Sequence, residues 1–150
     1  MTTIEESIEI AVPVSVAYNQ WTQFESFPQF MDGVERVEQT TDTRLHWVAD
    51  IGGSTREWDA EITEQHPDHR VAWKALDQNG PDGVVTFHKI EDSRTRVMVQ
   101  MDYAPQGVKE SIGSMVGLDD RRVHRDLESF KAMIEATGRE SGGWRGNVEN

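Results

Sequence analysis

The chain begins with an alternation of apolar and polar positions. Between Thr3 and Val12, Ile4, Ile8, Ile10 and Val12 share one parity and Glu5, Ser7 and Glu9 the other, the two-residue period of a half-buried strand. Pro13 ends that strand and precedes a different rhythm. Val14, Ala17, Tyr18, Trp21 and Phe24 recur at steps of three and four, which predicts a helix from Val14 to Gln23. Phe27 precedes Pro28 and is pushed away from helical dihedrals, so the helix is expected to break over 25–28. A second short turn from Pro28 to Met31, capped by Ser26, and a turn at Asp32-Gly33 complete this opening.

From Val34 to Tyr103 strand follows strand. Val34 and Val37 start one, and Leu45, Trp47, Ala49 and Ile51 alternate in the next before the hairpin signal Gly52-Gly53. Trp58, Ala60 and Ile62 then oppose Glu57, Asp59 and Glu61. His66-Pro67-Asp68 turns the chain into Val71, Trp73 and Ala75, and Asn79-Gly80-Pro81-Asp82-Gly83 is a loop before Val85 and Phe87. Beyond Glu91-Asp92-Ser93, the residues Val97, Val99, Met101 and Tyr103 share a side. Pro105 and Gly107 stop the strands. A looser segment with Ile112, Met115 and Val116 leads into a second helix, Asp119 to Thr137, striped by Val123, Leu127, Phe130 and Ile134 and ended by Gly138.

This order predicts one α+β domain, residues 1–138, followed by a flexible polar tail, 139–150, in which only Trp144 is placed to dock. A curved antiparallel sheet of about six or seven strands has one apolar face and the last helix has one apolar stripe. Laying the helix across the sheet buries both. Space left between them would be a mainly apolar pocket.

Composition narrows the function. The 150 residues carry 27 acidic against 15 basic side chains, a formal charge of −12, which repels nucleic-acid phosphates and anionic membranes. Arg121, Arg122 and Arg125 form a small basic cluster with acids beside it. The absence of cysteine excludes disulfides, thiolate metal sites and a cysteine nucleophile. The first residues lack the basic end and apolar run of a signal peptide, and no apolar run is long enough to span a bilayer, so a soluble, cytoplasmic protein is expected. No phosphate loop, hydrolytic triad or metal-binding pattern calls for a cofactor. Self-association into a homo-oligomer stays open, as does a protein partner.

Four stretches carry a family likeness: SIEIAVPVSVAYNQWTQFESFPQFMDGVERVE, REWDAEITEQHPDHRVAW, TRVMVQMDYAP and GLDDRRVHRDLESFKAMIE. In this order they resemble the START-like helix-grip superfamily, in its polyketide cyclase/dehydrase and lipid transport branch, over roughly residues 3 to 138. The resemblance implies a helix-grip fold binding a hydrophobic small molecule (lipid, quinone, sterol or polyketide-like) between sheet and last helix. The alternative it implies is a polyketide cyclase/dehydrase acting in the same cavity without metal. The pocket lining implied comprises Trp47, Trp58, Trp73, Phe87, Met101 and Tyr103 from the strands and Met115 and Val116 at the helix entrance. Phe27, Phe30 and Met31 are expected at its rim.

Each of these side chains also has a plain reading as core, since a buried tryptophan stabilises the fold whatever lies beside it. The polar candidates for proton transfer are Tyr103, Arg56 and Asp120. Asp119 or Asp120 continues the apolar stripe of the last helix backwards, yet an acid in a first helical turn also serves as a cap. Arg56 shares parity with Trp58 but equally suits a strand-end ion pair. His66 and His69 sit on a turn that gives them no common face, and His46 and His88 have the parity of the solvent side.

Overall fold

A computed structural model describes residues 2–31, 33–51, 54–76, 81–103 and 120–148. Seven strands, β1 (Thr2–Ile10), β2 (Val34–Gln39), β3 (Arg44–Ile51), β4 (Ser54–His66), β5 (Arg70–Ala75), β6 (Asp82–Glu91) and β7 (Arg94–Tyr103), form one sheet in the order β1-β7-β6-β5-β4-β3-β2. Every pairing is antiparallel. The chain from β2 to β7 is thus a meander, and β1 joins its far edge. Register shifts at Val34/Arg36, Ile62/Glu64 and Lys89/Glu91 bend the strands, as bulges do, and curl the sheet into a half-barrel.

The concave face holds the side chains that alternation predicts. Ile4 and Ile10, Leu45 and Trp47, Trp58 and Ile62, Val71, Val85 and Phe87, Val97 and Val99 are all buried. Helix α1 (Val14–Trp21) buries Ala17, Tyr18 and Trp21 on one end of that face, and ends two residues short of the predicted Gln23. The C-terminal helix α2 (Asp120–Thr137) lays Val123, Leu127, Phe130 and Ile134 across the rest. Its last turns are tied to the end of β1: Lys131 donates to the Glu9 carbonyl at 2.9 Å and Glu135 accepts from the Ala11 amide at 2.8 Å.

Between α1 and β2 the chain differs from expectation. A 3-10 helix spans Phe24–Gln29 with Pro28 inside it, where a break was predicted. Proline fixes φ near −65°, which lies within the 3-10 range, so the ring fits the turn. The three-residue period carries Phe24, Phe27 and Phe30 inward together. Ser26 caps nothing; its hydroxyl donates to the Gln23 carbonyl at 2.6 Å.

Residues 139–148 run back along α1, with the Ser141 amide donating to Gln20 Oε1 at 2.7 Å and the Trp144 amide to Thr22 Oγ1 at 3.0 Å. Arg145 pairs with Asp68 at 2.9 Å, donates to Asn19 Oδ1 at 2.7 Å and stands 5.6 Å over the Tyr18 ring. Val148 then forms a β-bridge with Gln65, beyond the point where β3 has left the side of β4. The expected Gly52-Gly53 hairpin, the Asn79-Gly80 part of the expected loop and the segment carrying Met115, Val116 and Asp119 lie outside the described residues, while Asp82 and Gly83, expected in that loop, begin β6 by pairing with Asp102 and Met101.

Candidate functional site

One end of the grip contains a cavity of about 90 Å³. Its floor is the sheet: Val34 and Leu45, Trp47 and Ala49, Trp58 and Ile62, Val71 and Trp73, then Val99 and Met101. Trp21, Phe24, Phe27 and Met31 close one side, and α2 contributes Arg122, Val123, Asp126 and Leu127. Among the described residues the lining is apolar apart from the helix edge carrying Arg122 and Asp126, which stand one turn apart.

Trp47 and Trp58 are direct partners across β3 and β4. Their rings stack with centroids 5.7 Å apart and 5° between planes. They are only 9% and 6% exposed, and among the described residues neither indole Nε1 has a hydrogen-bond acceptor. A buried donor left without an acceptor costs about 1–3 kcal/mol, so two in one wall are unusual. Next to them a row of cross-strand partners runs Ile62, Trp73, Gly83, Met101 and Ile4 across five strands. The missing side chain at Gly83 is where the Trp73 ring lies.

Arg122 fixes the helix edge of the cavity. Its Nη1 donates to the Asp50 carbonyl at 3.0 Å, and its guanidinium packs against Gly33, where an added Cβ would come within 2.9 Å of Cζ. Gly33 has φ of 92°, a conformation that suits glycine, so the turn before β2 and the start of α2 shape each other. Outside the cavity, His46 stands on the convex face with its ring nitrogens 2.8 Å from Asp59 and 3.0 Å from Glu57. Hydrogen bonds to Asp59 first, then Glu57, hold its pKa above the ordinary value.

Of the residues expected to line the pocket, Met31, Trp47, Trp58, Trp73 and Met101 meet around the cavity, with Phe27 from the expected rim. Phe30 and Phe87 do not line it. Phe30 is 5% exposed and packs on Trp21, Phe27 and Phe130, because the 3-10 period turns it into the core. Phe87 has the inward parity but lies at the other end of the concave face, against Tyr18 and Trp21 of α1. Arg56 shares the Trp58 face without being part of the lining. The side chains of Tyr103 and Asp120, like Met115 and Val116, lie outside the described residues. Sequence reasoning passed over Arg122 and Asp126, whose signal was their place beside the stripe positions Val123 and Leu127.

Residues 10–132 match the profile of the family described as polyketide cyclase/dehydrase and lipid transport. The chain belongs to this family. An uncharacterised 17.2 kDa protein from the melC2–rnhH intergenic region of Streptomyces lincolnensis is 56% identical over 149 residues, covering 99% of both chains. Among solved structures, the ZhuI aromatase/cyclase from Streptomyces sp. R1128 superposes with a TM-score of 0.73 at 14% identity, over 95% of this chain and 99% of that one. A START superfamily protein from Mycobacterium smegmatis gives a TM-score of 0.67 at 10% identity, over 90% of this chain and 95% of that one. At such identities these two likenesses speak for the fold, which is the START-like helix grip. No helix among the described residues is long and apolar enough to cross a membrane.

Proposed function

We propose that this member of the polyketide cyclase/dehydrase and lipid transport family is a cytoplasmic binding protein for a planar, mainly apolar small molecule, held between the sheet and α2. The observation that carries this is the cavity wall itself: aromatic faces from Trp47, Trp58 and Trp73 opposite a helix whose polar contribution among the described residues is Arg122 and Asp126. The lack of cysteine and the formal charge of −12 favour the cytoplasm and disfavour nucleic acid.

Volume sets the size of the occupant. Pockets for drug-sized ligands hold about 300–1,000 Å³, several times the 90 Å³ free here. One ring or the end of a chain is the natural occupant; a sterol or multi-ring polyketide requires the lining to part. Met31 and Met101, unbranched and adaptable, are the side chains best suited to move. A cyclase or dehydratase acting here is the second reading, favoured by Arg122 and Asp126 lying together on the cavity wall, where one could hold an enolate oxygen and the other carry a proton.

Native mass spectrometry of gently purified protein, with thermal shifts against fatty acids, quinones, sterols and aromatic polyketides, tests the binding reading. A co-purifying mass or a stabilising ligand that Trp58→Ala abolishes is the expected result. Absence of both across all four classes overturns it. Turnover of a poly-β-ketone that is lost in Arg122→Gln and Asp126→Asn would establish the second reading.

A further inference from the structure

Two donors in the cavity wall remain unexplained by apolar binding. Trp47 and Trp58 stack on each other, line the same cavity, and each keeps a sealed indole N–H with no acceptor among the described residues. Packing alone does not ask for indoles here. Phenylalanines would supply the aromatic faces without stranding a donor. The partners are directly opposed across β3 and β4, so the two rings are presented side by side. Each Nε1 has less than 1 Å² of accessible surface, so an acceptor reaches it when one ring slides along the other, a shift that breaks no hydrogen bond at Nε1 among the described residues.

We infer that Trp47 and Trp58 form an oxygen-accepting subsite: their indole N–H groups donate to a carbonyl or quinone oxygen of the planar ligand. This rests on the binding reading above and specifies the chemistry of the ligand. The two donors offer nothing to a hydrocarbon. A neutral carbonyl suits them because it accepts hydrogen bonds without bringing a charge into an apolar wall, where an ionised carboxylate would be penalised. The sites of ligand recognition are thereby divided, with ring faces giving affinity and the indole nitrogens selecting an oxygenated molecule.

The test uses a matched pair of planar probes, 1-indanone and indane, that differ in one carbonyl. The full chain is labelled with ¹⁵N, and its five tryptophans give indole resonances that single Trp→Phe variants assign. The expected result is that indanone binds about tenfold more tightly than indane, the worth of a hydrogen bond or two that would otherwise go unmade. It also moves the Trp47 and Trp58 Nε1 protons downfield while that of Trp144 stays still. Trp47→Phe and Trp58→Phe keep a ring in the wall and should bring the two affinities towards equality.

Equal binding of ketone and hydrocarbon by the natural chain overturns the inference and leaves the binding reading standing. So does a ketone preference that survives both variants. Binding of neither probe, nor of any larger ketone or quinone, overturns both. Should a variant fold poorly, the downfield shifts in the natural chain still decide the matter.

Discussion

The indole of Trp73 lies across Gly83, its direct partner on the neighbouring strand: a Cβ on that glycine would stand 2.8 Å from both Cε2 and Cη2 of the ring. Trp73 therefore holds its place at the cavity because residue 83 has no side chain. Gly83→Ala is expected to displace the ring and to cost about 1–3 kcal/mol, the usual penalty of overpacking. Urea denaturation measures the loss, and near-ultraviolet circular dichroism reports the ring. Unchanged stability and an unchanged tryptophan signal would refute the relationship.

Phe130 joins the helix to the aromatic cluster. It is fully buried, with centroids 5.2 Å from Trp21 and 5.1 Å from Phe30. Phe130→Ala should destabilise the protein by about 3–5 kcal/mol through lost burial and the cavity left behind. Phe130→Leu should cost distinctly less. Equilibrium denaturation of the two variants checks the order, and equal losses would mean that the site does not depend on filled volume.

His46 predicts the pH dependence. Asp59 and Glu57 raise its folded-state pKa above the ordinary 6.5. Its contribution is therefore fully present below the unfolded value and disappears as pH rises through the higher folded one. The pair is solvent-accessible, so the worth is on the order of 0.5 kcal/mol. Compared by denaturation, the natural chain should exceed His46→Gln at pH 5.5, with the gap closing by pH 8.5. A gap that is constant or grows with pH contradicts the assignment.

Arg145 fastens the tail through Asp68, Asn19 and the Tyr18 ring. Its exposure limits what it is worth, and Arg145→Ala should lower stability by about 1 kcal/mol. The sharper readout is hydrogen exchange at Gln65, whose amide donates to the Val148 carbonyl at 2.8 Å. That amide should exchange faster in the variant. Unaltered protection would show that the bridge holds without Arg145.

Local periodicity made the strands, both long helices and the concave face legible, because each signal lies within a few residues of itself. What it could not reveal was position along a strand. Phe87 and Met101 have the same inward parity, yet one meets Tyr18 under α1 and the other meets the cavity, a difference set by register between distant strands. Phe30 was misread because the break expected at Pro28 hid the three-residue period that turns Phe24, Phe27 and Phe30 inward together. The tail offered no periodicity at all; its anchors are one arginine, the Ser141 and Trp144 amides on Gln20 and Thr22, and backbone bonds to β4. Arg122 and Asp126 looked like an ordinary polar helix edge; its place beside the Asp50 carbonyl and the sheet opposite is a long-range relationship that local sequence does not carry.

The strand order also dictates how the molecule must come together. From β3 to β7 each strand pairs with its predecessor, so that part of the sheet can zip up through successive neighbouring pairs. β1 cannot take part: Ile4 finds Met101 and Ile10 finds Thr95, partners that enter the chain only with β7. Closing so long a loop before any contact rewards it is slow. The helix that roofs the cavity is tied to β1 through Glu9 and Ala11, so it too gains its anchorage late. The cavity is therefore the last part to be sealed, and until then Trp47 and Trp58 are surfaces rather than walls.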